Sequence, residues 1–216
     1  MYKFLQIILD LDQKSAIVKT KKSKFLGLNL RGRCVHMAKT TSEKTSKFVF
    51  DSVIDLAGYL EHRLDNPTPL KIQKTLYFLW AFYSATYGNI QYDSDDKNEF
   101  DLQDGVYPPE LFEPDFEAWR YGPVINKVYA AYKGDEIKEL NSKEIKDKIS
   151  TGESEKKEVL LFINNLVDQI NEVNDFGLVQ RSHKDKAWKD AYDEGKQHCK
   201  IDSEQIKQDY INYIGE

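Results

Sequence analysis

From Phe48 onward the apolar positions repeat with helical spacing. Val49, Val53, Leu56, Ala57, Leu60 and Leu64 share one face, the stripe by which a helix packs on a core. Asp65-Asn66-Pro67 ends that helix, and Thr68-Pro69 opens the next, with Thr68 as cap and Pro69 in the first turn. This second helix runs to about Thr86 and carries Leu76, Tyr77, Phe78, Leu79, Trp80, Phe82 and Tyr83. It is apolar nearly all round after its first turn, so it is expected to be the central buried helix. Gly122-Pro123 reads as a further helix start, with Ile125, Val128, Tyr129 and Tyr132 on one face. Ser142–Ile149 predicts a short helix. Ser154 is placed to cap a longer one, on which Val159, Ile163, Leu166, Val167 and Ile170 align. Lys186–Gly195 reads as a short helix around Trp188, Ala191 and Tyr192. The last helix starts at Asp202, with Gln205 spaced as in a capping box and Ile206, Tyr210, Tyr213 and Ile214 aligned. The expected fold class is mainly α: a single compact helical domain of about six helices.

The first residues follow another pattern. Lys3–Asp12 and Ser15–Thr20 are short apolar or β-branched runs, and Lys19, Lys21, Lys22 and Lys24 cluster. The expected division is a basic extension over 1–47, irregular or short β, and a helical domain over 48–216. The extension reads as a small hairpin, a basic arm or a disordered tail. Met37-Ala38-Lys39 resembles an ordinary protein beginning, and Met37 is expected to be the physiological start. The intact mass of the natively expressed protein checks this.

Charge separates the same two regions. The net charge is −5, but residues 1–36 hold eight basic and two acidic residues against 23 and 34 in the remainder. An acidic body makes nucleic acid an unexpected partner, since backbone binding is driven by Lys and Arg. It suits a partner with a basic surface, or serves solubility alone. No apolar run is long enough to span a bilayer, and the apolar run at the start is too short for a secretory signal, so a cytoplasmic location is expected. Cys34 and Cys199 match no metal or redox spacing and read as free thiols.

Candidate chemistry is sparse. His36, His62, His183 and His198 sit in no metal-binding or nucleophile motif. The run Asp93–Glu99 fails as a calcium loop, with Lys97 fifth, Asn98 sixth and Asp104 twelfth. No Gly-rich phosphate cradle is present. The expectation is a protein that is not an enzyme, with no catalytic residues, no metal and no cofactor. A hydrolase-like protein with an atypical site is the third class, behind two binding functions given below.

Between Tyr77 and Tyr132 lie 15 of the 27 aromatic residues. Three blocks in and beyond that region together resemble the Panacea antitoxin domain, the SocA-like and phage-associated (GepA-like) family. They are Leu70-Lys71-Ile72-Gln73-Lys74-Thr75-Leu76-Tyr77-Phe78; Phe116-Glu117-Ala118-Trp119-Arg120-Tyr121-Gly122-Pro123-Val124 with Val128-Tyr129; and His183-Lys184-Asp185-Lys186-Ala187-Trp188-Lys189-Asp190-Ala191. The third departs from the family pattern, which has Pro where this chain has Ala187. The acidic loop 88–110 is longer than the family's usual link, and residues 1–36 have no counterpart. The resemblance covers roughly Phe48 to the C-terminus. It implies an antitoxin of a toxin–antitoxin pair, prophage or mobile-element associated, that neutralises a toxin encoded next to it by direct binding. The alternative is a regulatory adaptor or phage-encoded modulator that binds a host protein.

The expected partner-binding residues are Lys71, Lys74, Trp119, Arg120, Tyr121, His183 and Trp188, and the expected structural motif is Gln73, Tyr77, Gly122, Pro123 and Tyr129. Trp, Tyr and Arg are the types that dominate binding hot spots. Lys71, Gln73 and Lys74 are either an exposed first turn with snorkelling stems or the lining of a groove shared with Arg120. Trp119 and Tyr121 point to one side if the segment is extended, and with Gly122 and Pro123 they read as scaffold. Arg120 then faces away from them, to reach an acidic or carbonyl partner or to pair with Glu117 or an acid of the 88–110 loop. His183 reads as a helix-start contact. Trp119→Ala is expected to cost roughly 3–5 kcal/mol if the ring is buried.

Overall fold

Helix α2, Pro69–Thr86, runs through the middle of the molecule and buries every residue from Lys71 to Ala85. In the computed structural model, residues 46–89 and 107–215 are described. The expectations for 1–45 and for most of the acidic loop fall outside them. Around α2 are α1 (Val53–Arg63), β1 (Phe116–Trp119), β2 (Gly122–Ile125), α3 (Asn126–Lys133), α4 (Ser142–Asp147), α5 (Glu153–Asn171), α6 (Asp175–Ser182), α7 (Lys186–Ala191), β3 (Cys199–Lys200) and α8 (Ser203–Gly215). The fold is predominantly helical, but the described residues form eight helices rather than about six, and they include a three-stranded antiparallel sheet of order β2-β1-β3.

Local chemistry accounts for α2. Thr68 caps it, its side chain accepting from Lys71 N at 3.0 Å, and Pro69 stands where no amide partner is needed. Two of its polar tips are satisfied from elsewhere: Trp80 Nε1 donates to Phe112 O (3.0 Å) and Tyr83 OH to Pro108 O (2.8 Å). Edge-to-face rings bind it to the sheet and to α8, with Tyr77–Phe116 at 5.4 Å and Phe82–Tyr210 at 4.8 Å. Helix α4 has a reciprocal capping box between Asn141 and Glu144. The box expected at Asp202 does not form: Asp202 Oδ1 accepts from Glu204 N, but Gln205 turns to Asp209. Helix α5 is capped at Gly152, two residues before the expected Ser154.

The Gly122-Pro123 helix start is corrected. Both residues lie in β2, and the helix begins at Asn126. Trp119 pairs with Gly122 across the turn Arg120–Tyr121. Neither turn residue has positive φ, whereas Gly122 has φ 92°. That is the left-handed residue required after a type I turn in a hairpin. Pro123 fits because β2 is an edge strand, where a missing donor breaks no ladder bond.

One further feature fastens the start of the described chain. Val49 N donates to Glu110 O and Phe50 N to Leu111 O, while Ser150 N donates to Val49 O. Phe48 to Phe50 is thus held between two segments distant in sequence, with Val49 and Phe50 buried.

Candidate partner-binding surface

The outer edge of β2 is covered by side chains of α2. Gln73 makes both bonds an extra strand would make to Ile125: Ile125 N donates to Gln73 Oε1 (2.8 Å) and Gln73 Nε2 donates to Ile125 O (3.2 Å). Lys74 Nζ donates to Pro123 O at 2.6 Å. Lys71, Gln73 and Lys74 are therefore buried, not an exposed first turn, and Lys74 is 0% exposed. A cation stripped of water is costly, and burial lowers the Lys74 amine to about 7.

The turn itself is gripped from α6 and α7. A Cβ on Gly122 would stand 2.5 Å from Ser182 Oγ and 2.9 Å from Lys74 Cε, so the backbone touches both helices. Trp188 Nε1 donates to Trp119 O at 3.1 Å. The Trp188 ring is sandwiched between His183 (3.9 Å) and Tyr192 (4.7 Å). His183 is the C-cap of α6, not a helix-start contact. Burial first, then the charge of Lys74, lower its pKa, opposed by the main chain of Arg120. Its Nε2 is buried without a hydrogen-bond partner.

On the sheet, Glu117 is buried and accepts from Trp119 Nε1 (3.0 Å) and Lys200 Nζ (3.1 Å), with His198 Nδ1 at 2.6 Å. Burial raises its carboxyl, but these bonds more than offset that and leave it below the usual glutamate range. The Trp119 ring is half-buried between Tyr129 (5.1 Å) and His198 (5.6 Å). His198 reaches this position with φ 58°. Below it, Tyr77 and Tyr210 donate to Asp185 Oδ2 (2.9 and 3.1 Å), and Arg181 pairs with the other oxygen of Asp185.

Two expectations change here. Arg120 does not pair with Glu117, whose oxygens are taken by Trp119, His198 and Lys200. Tyr121 is not scaffold: it is 51% exposed, because the turn rotates it away from the Trp119 side. Lys74, Trp188 and His183 lie beneath or behind the turn, Lys71 is buried in the first turn of α2, and Arg120 and Tyr121 project outward. Sequence reasoning missed Phe176, Ser182 and the role of His198. Only the capping residue Asn174 marks α6 locally, and nothing near His198 signals its contact with Glu117, 81 positions away.

Residues 106–189 match the family described as Antitoxin SocA-like, Panacea domain. That match supports a Panacea-like domain over these residues. No curated protein and no solved structure matches the chain. The Panacea match contains the hairpin and the grip from α6 and α7, while Gln73 and Lys74, which clamp that hairpin from α2, lie outside it. Among the described residues no group of three or more His, Cys, Asp or Glu could hold a metal ion, and no helix is long and apolar enough to cross a membrane.

Proposed function

We propose that this protein is an antitoxin that neutralises a cognate toxin by direct protein–protein contact. The observation that carries the reading is the match of residues 106–189 to a family described as SocA-like antitoxins. The geometry is compatible: a turn fixed by four side chains, Gln73, Lys74, Ser182 and Trp188, presents Arg120 and Tyr121 outward, and a fixed turn loses little freedom on binding. In this reading the protein acts in the cytoplasm, without a catalytic step, cofactor or nucleic acid, on a toxin encoded beside it on a prophage or mobile element.

Co-expression tests it. The neighbouring reading frame alone should arrest growth, and this chain should restore growth and co-purify with the neighbour. A neighbour that is harmless alone and does not bind removes the toxin reading at that locus. Recovery of a host protease, polymerase or replication protein instead would support the adaptor function.

A further inference from the structure

The hairpin turn and the start of α6 bring together two of the three large hydrophobic residues that are exposed among the described residues. Tyr121 is 51% and Phe176 64% exposed, and their rings meet edge to face at 6.5 Å although 55 positions separate them. The Arg120 guanidinium lies over the Tyr121 ring at 5.9 Å. Arg63 and Arg181 each hold a carboxylate, Asp168 and Asp185. Arg120 is the one described arginine with no ion pair recorded. The only acid of α6, Asp175, is turned to the Thr68 hydroxyl at 2.5 Å. The acidic body thus carries a small face of opposite character: one unpaired guanidinium beside two exposed rings.

We propose that Arg120, Tyr121 and Phe176 form a docking face for a protein segment that presents an Asp or Glu carboxylate next to an apolar side chain. The guanidinium offers a planar fork that matches a carboxylate, and the rings offer apolar area with few torsions to freeze. Rigidity favours the assignment. Bonds to Trp119 O, Pro123 O and both polar groups of Ile125 flank the turn, and Gly122 is wedged against Ser182. Arg120 and Tyr121 are therefore displayed from a fixed backbone. A nucleic acid would also use a cation and stacking rings, but its phosphate backbone is held by several Lys or Arg, and of Arg120, Tyr121 and Phe176 only Arg120 is cationic. The proposal rests on the partner-binding reading, though not on the partner being a toxin.

The test uses the full chain, labelled with nitrogen-15, and two ten-residue peptides identical except at two positions. One peptide carries Glu on either side of a Leu-Phe pair; the other carries Lys there. A ten-base oligothymidine is the third probe. The Glu peptide should shift the amides of residues 119–122 and 175–180 and bind at least tenfold more tightly than the Lys peptide. Arg120→Glu should invert that preference, which a residue of purely structural role could not do. Phe176→Ser should weaken the Glu peptide severalfold while leaving the preference for Glu over Lys intact. Equal binding of the two peptides by the wild-type chain, or shifts elsewhere, overturns the proposal whether or not the variants fold. So does tighter binding of the oligonucleotide, or concentration-dependent shifts at these amides without peptide, which would mean a second copy covers the face. None of these readouts involves the neighbouring gene. A harmless neighbour with a preserved peptide preference would remove the toxin and keep the surface.

Discussion

At Gly122 two constraints coincide. Its φ of 92° is strained for any residue with a Cβ, and the Cβ itself would sit 2.5 Å from Ser182 Oγ. Strain and overpacking together put the cost of Gly122→Ala at about 3 kcal/mol, read by urea unfolding. Adding Ser182→Gly should return only the part owed to the Ser182 contact; full recovery would show that backbone strain and the Lys74 contact are negligible. Trp119 is half-buried, so Trp119→Ala should cost about 2 kcal/mol rather than the full penalty of a sealed ring. Trp80→Ala, at a buried position, should cost about 4 kcal/mol. Arg120→Ala should change stability by less than about 0.5 kcal/mol, as for other exposed sites. Individual residue types were legible in the sequence, but their partners were not. A Lys and a Gln in the first turns of a helix look solvated, and their burial follows only from backbone groups 49 and 52 positions away.

The helices with long apolar stripes, α1, α2, α5 and α8, were legible because periodicity accumulates over several turns. The hairpin was not, since the same property of Pro, having no donor, suits both a helix start and an edge strand. Helix α6 is eight residues long, carries an exposed Phe176 and buries only Leu178, Val179 and Ser182, too few positions to show a period. The edge of β2 gives the element-level prediction. Gln73→Leu leaves the N–H and C=O of Ile125 buried without partners, which should cost about 3 kcal/mol. Hydrogen exchange at the amides of Gly122, Val124 and Ile125 should accelerate more than at the α5 core. Uniform acceleration across both would mean that the hairpin opens only with the whole molecule.

On the scale of the whole molecule, charge is arranged in layers: an acidic surface, a cationic turn and an amine sealed beneath it. Between about pH 7 and 10 the buried Lys74 is neutral in the folded state, with its pKa near 7, and protonated in the unfolded state. The unfolded chain binds the extra proton, so stability contributed here rises with pH and falls as the medium approaches neutrality, by about 1.4 kcal/mol per unit. Denaturation midpoints at pH 7.5 and 9 should differ for the wild type, and Lys74→Met should remove that part of the slope. His183, which faces Lys74 and is also lowered, would add to the same trend only at lower pH. The strap at Phe48–Phe50 has its own consequence, for where this domain can be cut. Its smallest folding unit starts before the first helix, because Val49 and Phe50 stitch together Glu110–Leu111 and Ile149–Ser150. A gene truncated to begin at Val53 loses two core side chains and that stitching together. A chain begun at Met37 would retain the strap just as one begun at Met1 does.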